Sequence, residues 1–120
     1  PAPYQRRIKV LMAPDKEDVA ELTFSHALLP PQGRTDYHTH DRPELIYIVT
    51  GEGICRHDGE ETPICADMVL WAPAGEKHQM INTGYTEMKL ATVFIPGYLA
   101  KDNYNRCLDA AKAAKAEGEK

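Results

Sequence analysis

The stretch of sequence that decides the fold covers residues 33–51 and reads Gly-Arg-Thr-Asp-Tyr-His-Thr-His-Asp-Arg-Pro-Glu-Leu-Ile-Tyr-Ile-Val-Thr-Gly. It places His38, His40 and Glu44 within seven residues. Successive side chains on a strand point to opposite faces, so the two imidazoles are expected to project to the same side. Pro43 disfavours helix at the residue before it, and a bend there would return Glu44 towards the imidazoles. Two neutral nitrogens and one carboxylate oxygen on one wall suit a divalent transition metal.

A fourth ligand is available downstream, where His78 opens a second strand-like run in residues 71–82. Four protein ligands leave up to two open positions on an octahedral ion, whereas structural zinc prefers closed and often thiolate-rich tetrahedra. A set of nitrogen and oxygen donors with open positions suits Fe, Mn, Ni or Co, and Zn completes the candidates. The sequence therefore predicts one divalent transition metal on four ligands: His38, His40, Glu44 and His78.

These two segments resemble the two sequence motifs of the cupin family. The first motif (glycine, a short spacer, His-x-His, glutamate and a closing glycine) is matched by residues 33–51, with a spacer one residue shorter than usual. The second motif is matched at Pro73, Gly75, His78 and Asn82. Asp67 stands where that motif opens with glycine, which affects one turn and none of the ligands. The resemblance covers about residues 22–95 and implies an all-β double-stranded β-helix, a jelly-roll barrel, with a metal on three histidines and one glutamate.

Length and composition limit the possible classes of protein. A chain of 120 residues is expected to form one domain, 1–120, with a core large enough to fold without disulfide or metal cross-links. The net charge of −4 and the lack of a lysine or arginine run argue against nucleic acid as a partner. No membrane-span-length apolar stretch or signal-peptide pattern occurs, so we expect no membrane association and a cytoplasmic location. The cysteines lack a Cys-x-x-Cys pattern and are expected to be free thiols: Cys55, Cys65 and Cys107.

Short strands separated by Gly, Pro and Asn turns predict a barrel over about residues 4–97. The Asp58-Gly59 dipeptide between two strand-like runs is a strong hairpin signal. Beyond the barrel, Asp102 can cap a short C-terminal helix over about residues 102–117. The apolar stripe of that helix is Tyr104, Cys107, Leu108 and Ala111, which would pack on the barrel or on a second subunit.

Two strands carry specific burial expectations. Residues 19–29 alternate, with Phe24, His26 and Leu28 on an apolar face that is expected to be the buried one. Residues 45–50 are nearly all apolar or β-branched, which predicts a strand buried on both faces. The first strand, in residues 4–12, could reach a neighbouring chain and pair with it across a two-fold axis, or else complete its own sheet. A bare sheet edge favours aggregation, so we expect the pairing and a homodimer.

The pocket is expected to be lined by inward residues of the same strands. The candidates are Tyr37 or Tyr47, Ile46, Ile48, Trp71, Met80 and Phe94. Three cations lie near the ligands in sequence, Arg34, Arg42 and Lys77, and either favour an anionic substrate or are solvated surface charges. No general acid or base can be assigned from the sequence, so the catalytic residues stay unidentified.

Three functions are compatible with such a centre. The first is a metal-dependent isomerase or lyase acting on a small hydroxy, keto or carboxylate compound, with the metal as Lewis acid. The second is a non-haem iron dioxygenase, because redox-active iron can bind O2. The third is a non-catalytic cupin that binds a small ligand. The open coordination positions favour an enzyme over a binder.

Overall fold

The computed structural model describes residues 6–15 and 19–99. In these ranges every element of regular secondary structure is a β-strand. The eight strands are β1 Arg7–Met12, β2 Thr23–Leu29, β3 Glu44–Thr50, β4 Glu52–His57, β5 Glu60–Cys65, β6 Val69–Ala72, β7 His78–Asn82 and β8 Met88–Phe94. None of the described residues belongs to a helix long and apolar enough to cross a membrane. The helix expected over 102–117 lies outside the described residues.

The strands form two antiparallel sheets, one of five strands in the order β1-β2-β8-β3-β6 and one of three in the order β5-β4-β7. The non-sequential neighbours β2-β8, β3-β6 and β4-β7 show that the chain winds back and forth between distant partners. This arrangement confirms the predicted jelly roll. The apolar core lies between the sheets and includes Leu29, Ile48, Met80, Met88 and Leu90.

The turns form where residues with unusual backbone freedom stand. Asp58 and Gly59 have φ of 47° and 86° and join β4 to β5 as a two-residue hairpin, as the sequence predicts. Asp67, which replaces the motif glycine, has a φ of 70° and so adopts the left-handed conformation itself. Aspartate tolerates this region better than most side chains. Its carboxylate also accepts a hydrogen bond from the Tyr47 hydroxyl, so the turn survives the replacement.

Asn82, the last residue of the second motif, is fully buried and fixes the end of β7. Its Nδ2 lies within hydrogen-bond distance of the carbonyl oxygens of Leu29, Pro30 and Thr86 at 3.0, 3.1 and 2.8 Å. Its Oδ1 accepts from the Gly84 amide at 2.9 Å. A buried polar group needs such partners, so this side chain has a structural role.

The expected orientation of β2 is wrong. The buried residues of this strand are Thr23, Ser25, Ala27 and Leu29, while Phe24, His26 and Leu28 are only half-buried on the opposite face. The reason is that the hydroxyls of Thr23 and Ser25 find hydrogen-bond partners inside, at the Tyr98 carbonyl and the Thr92 hydroxyl, each at 2.7 Å. Apolar character therefore does not mark the inner face of this strand.

The expectation that β3 is buried on both faces is also wrong for the single chain. Glu44, Ile46 and Ile48 face inward, but Tyr47 on the other face is 37% exposed. The neighbouring strand β6 extends this apolar surface, with Val69 59% and Trp71 58% exposed. We call the surface formed by Leu45, Tyr47, Val69 and Trp71 the outer face. At the other edge of the sheet, β1 pairs with β2 of the same chain.

Candidate metal centre

The two motifs are joined by backbone hydrogen bonds between the segment before β3 and the strand β7. His38 and His78 exchange both amide–carbonyl bonds, at 3.1 and 2.8 Å. The Thr35 amide donates to the Met80 carbonyl at 2.9 Å, and the Thr35 hydroxyl accepts from the Met80 amide at 2.9 Å. The sequence predicts a regular strand for His38 and His40. The structure instead places them in a loop segment, where His38 forms an isolated β-bridge with His78.

Backbone carbonyls orient two of the imidazoles. His38 Nδ1 lies 2.8 Å from the carbonyl oxygen of Asp36, and His78 Nδ1 lies 3.1 Å from that of Glu76. A carbonyl oxygen only accepts, so Nδ1 carries the proton in each ring. The neutral tautomer then leaves a lone pair on Nε2, which is how metal-binding histidines are commonly fixed.

The four residues predicted as ligands lie together. His38 Nε2 lies 2.7 Å from His40 Nε2, and His78 Nε2 lies 2.9 Å from Glu44 Oε1. His40 Nε2 is 3.7 Å from the same carboxylate oxygen. The three histidines offer ligand atoms that all lie within 4.8 Å of one another. The structure thus brings residues from both motifs and both sheets to one point.

These separations fit a single ion. Two donors that each lie about 2.1 Å from an ion, at a right angle, are about 3.0 Å apart. The observed contacts between donor atoms, 2.7, 2.9 and 3.7 Å, scatter around that value. Neutral nitrogens and a carboxylate oxygen are also the donor types that divalent transition metals take. The residues present therefore fit a bound metal in both geometry and chemistry.

Burial and the neighbouring carboxylates have opposite effects on the pKa of His78. Burial is the largest influence on this imidazole and by itself lowers its pKa. The hydrogen bond that His78 donates to Glu44 and the charge of the Glu44 carboxylate raise the pKa, as do the carbonyl and carboxylate of Glu76, and the net shift is upward. A proton and a metal ion therefore compete for His78 Nε2.

A small cavity of ≈ 60 Å³ adjoins the ligands and is bordered by polar groups as well as by the core. Arg6 lines it at 4% exposure and lies 3.4 Å from Asp36. Ser25 and Thr92 line another part, with their hydroxyl oxygens 2.7 Å apart. None of these four residues is among the site residues predicted from the sequence. Arg6 stands beside Arg7 in the sequence, and strand alternation signals that only one of such a pair faces inward.

The predicted pocket residues divide between the interior and the surface. Ile46, Met80 and Phe94 line the cavity, and the Phe94 ring lies 4.8 Å from that of His40. Ile48 is buried in the core. The remaining candidates are elsewhere. Tyr47 and Trp71 lie on the outer face, although Trp71 also borders the second cavity described below. Tyr37 accepts a hydrogen bond from the Gly59 amide at 2.9 Å.

The cations that lie near the ligands in the sequence do not line this cavity. Arg42 donates to the carbonyl oxygen of Gly97 at 2.7 Å and contacts Asp41 at 2.9 Å. Lys77 lies over the ring of Tyr37, with Nζ 4.5 Å from its centroid. Arg34 forms a bridge with β7. The guanidinium that borders the cavity belongs to Arg6.

A second cavity of ≈ 240 Å³ shares His78 and Ile46 with the first and is also lined by Cys55 and His57. His57 lies 2.7 Å from the Thr62 hydroxyl. Burial, with a smaller effect of nearby carboxylates, raises the pKa of the Cys55 thiol to about 11. This thiol is therefore protonated at neutral pH and is a poor nucleophile.

A double-sheet barrel with three converging imidazoles defines a class of small β proteins with a potential metal centre. Residues 25–94 match the cupin domain, and the chain belongs to the cupin family. It is 36% identical over 73 residues to an oxalate-binding protein of Thermotoga maritima. That match spans 60% of this chain and 60% of the relative.

Solved structures share the fold. A predicted oxalate decarboxylase from Thermotoga maritima has a TM-score of 0.69 at 29% identity, covering 76% of this chain and 80% of that chain. An RmlC-like cupin from Shewanella frigidimarina has a TM-score of 0.69 at 18% identity, covering 86% and 85%. At that lower identity the likeness concerns the fold alone.

Proposed function

We propose that this chain is a metal-dependent cupin whose centre, on His38, His40, Glu44 and His78, takes a small carboxylate of the oxalate class and acts on it as a lyase. The observation that carries the proposal is the convergence of four donor side chains beside a small cavity. A bound divalent ion would supply a Lewis acid for a carboxylate oxygen. The ion is Fe, Mn, Ni, Co or Zn, and the donor set leaves this choice open.

The choice of substrate class is supported by the size of the cavity and by the relatives. A volume of ≈ 60 Å³ accommodates roughly four to six water-sized groups, at about 10–15 Å³ each. Oxalate has six non-hydrogen atoms. An oxalate-binding protein and a predicted oxalate decarboxylase are among the proteins that this chain resembles.

A lyase reaction on hydrogen oxalate would break the carbon–carbon bond, release one carboxyl group as CO2 and leave the other carbon to accept the proton as formate. The residues of this chain would hold the acid in place. The apolar walls, Ile46, Met80 and Phe94, limit access of water to the reacting carbon. An isomerase acting on a small hydroxy or keto acid is the related alternative.

The test is calorimetric titration of oxalate into protein loaded with Mn(II), into chelator-treated protein and into the His40→Ala variant. Oxalate binding is expected only in the Mn(II)-loaded wild-type protein. Removal of the metal should also stop the formation of CO2 and formate. The matched control is His26→Ala, because this histidine lies on the face of β2 that points away from the cavity. Equal oxalate binding with and without metal would refute the proposal.

A non-catalytic role is the second candidate, and the relative named as an oxalate-binding protein favours it. Metal-dependent oxalate binding without formation of CO2 or formate would identify this role. A non-haem iron dioxygenase would instead consume O2 in proportion to substrate, which an oxygen electrode measures directly.

We also propose that the chain functions as a homodimer in the cytoplasm. The outer face leaves Val69 and Trp71 more than half exposed, at 59% and 58%. Contiguous exposed apolar surface on a sheet marks an interaction site, and a second copy of the chain would cover it. The free thiols Cys55 and Cys65 suit a reducing compartment.

A further inference from the structure

The basic pair at the start of the chain divides between the two faces of the five-stranded sheet. Arg6 precedes β1 and is 4% exposed within the cavity of the metal centre. The side chain of Arg7 is 75% exposed and lies 3.3 Å from Glu87. Adjacent residues of a strand face opposite sides, so one guanidinium points inward and the other outward.

The surroundings of Arg6 connect it to the proposed ligands. Its Nη2 lies 3.4 Å from Asp36 Oδ1, and the side chain of Arg6 is 1% exposed. The Asp36 carbonyl oxygen accepts from His38 Nδ1 at 2.8 Å. The guanidinium is thus separated from a proposed ligand by one residue. Burial of a guanidinium costs free energy even when it is paired, so the position of Arg6 beside this cavity indicates a role in the site.

The charges that line the cavity favour an anion. Its two carboxylates, Asp36 and Glu44, would offset the two charges of a divalent ion, and the guanidinium of Arg6 would add a net positive charge. The hydroxyl groups of Ser25 and Thr92 line the same cavity and offer further hydrogen-bond donors. A small dianion would therefore meet both positive charge and donors.

We infer that Arg6 is a specificity-determining residue that binds the second carboxylate of a small dicarboxylate whose first carboxylate is held at the centre. This inference rests on the proposed function and narrows its substrate class to dicarboxylates of two or three carbons. The planar guanidinium matches the two oxygens of a carboxylate with parallel N–H donors, which a lysine ammonium does not. The cavity volume of ≈ 60 Å³ suits an acid of two or three carbons.

The test compares oxalate with oxamate, which has the same shape but carries an amide in place of one carboxylate. Dissociation constants for both acids are measured by calorimetry on Mn(II)-loaded wild type, Arg6→Gln, Arg6→Lys and the control Arg7→Gln. Arg6→Gln should weaken oxalate binding about 10- to 100-fold and oxamate binding less than about 3-fold. Arg6→Lys should fall between, and Arg7→Gln should match the wild type.

Each outcome separates the two proposals. If the wild type fails to bind oxalate with metal, the proposed function is wrong. If the wild type binds oxalate but Arg6→Gln behaves as Arg7→Gln does, the role of Arg6 is refuted and the proposed function stands. An equal loss of oxalate, oxamate and Mn(II) affinity in Arg6→Gln would also refute it, because Arg6 would then only support the fold of the centre. Thermal melts of Arg6→Lys identify that case.

Discussion

Glu44 Oε1 and His78 Nε2 lie 2.9 Å apart although 34 residues separate them in the chain. Glu44 begins β3 in the five-stranded sheet, and His78 begins β7 in the three-stranded sheet. The contact therefore crosses the interior of the barrel and is formed only when both sheets are in place. It also joins the two sequence motifs, so it couples the fold to the chemistry of the centre.

This pair predicts opposite pH effects on stability and on metal affinity. The folded-state pKa of His78 is raised, so in metal-free protein its charged form stabilises the fold. That contribution is fully present below about pH 6.5 and is lost as the pH rises through the raised pKa. Metal binding needs the neutral imidazole, so metal affinity should increase as the pH rises through the same range.

The measurement is a set of thermal melts of metal-free wild type and Glu44→Gln between about pH 5.5 and about pH 8.5. The wild type should exceed the variant in stability by a margin that shrinks as the pH rises. Chelator competition over the same range should show tighter metal binding at the higher pH. A stability margin that grew with pH would contradict the assigned sign.

Loss of one proposed ligand should weaken the centre without unfolding the barrel. In His40→Ala we expect metal affinity to fall at least about 10-fold, while the core between the sheets is retained. A chelator should lower the melting temperature of the wild type modestly and that of the variant hardly at all. Outright unfolding of the wild type by chelator would show that the metal has a structural role.

The thiols should differ in reactivity. Cys55 is buried and its pKa is raised to about 11, whereas Cys65 is exposed. Alkylation at about pH 8 should therefore label Cys65 and spare Cys55 in the native protein, as peptide mapping by mass spectrometry would show. Both should react in denaturant. Equal labelling of the two in native protein would contradict the burial of Cys55.

The outer face should carry the dimer contact. Val69→Lys places a charge in that surface and should shift the protein to monomer in light scattering at micromolar concentration. Trp71 is the single tryptophan of the chain and lies on the same face, so its emission should shift on dissociation. The control is Tyr85→Lys, at a loop residue that is 93% exposed. A wild type that is already a clean monomer would disprove the dimer.

The sequence allowed much of this structure to be predicted because strands, turns and ligands leave local signals. The Asp58-Gly59 hairpin follows from backbone freedom at two residues, and the predicted strand positions follow from alternation and turn residues. The convergence of His38, His40 and Glu44 with His78 was predicted through the resemblance to the cupin motifs.

What the sequence could not supply is the direction in which each strand faces. Alternation separates Ser25 from Phe24 but does not say which of them faces inward, because the inward face of β2 carries two hydroxyl residues beside Ala27 and Leu29. The same limit hides the role of Arg6, whose inward position depends on the register Arg7↔Leu28 between β1 and β2. Long-range pairing decides such orientations.

The central claim is that one divalent ion binds at His38, His40, Glu44 and His78, and anomalous diffraction from a Mn(II)- or Co(II)-loaded crystal tests it most directly. The account predicts one anomalous peak per chain, about 2.0–2.3 Å from the Nε2 atoms of the three histidines and from a carboxylate oxygen of Glu44. A peak at another site, or a peak from which Glu44 or His78 lies beyond coordinating distance, would contradict it.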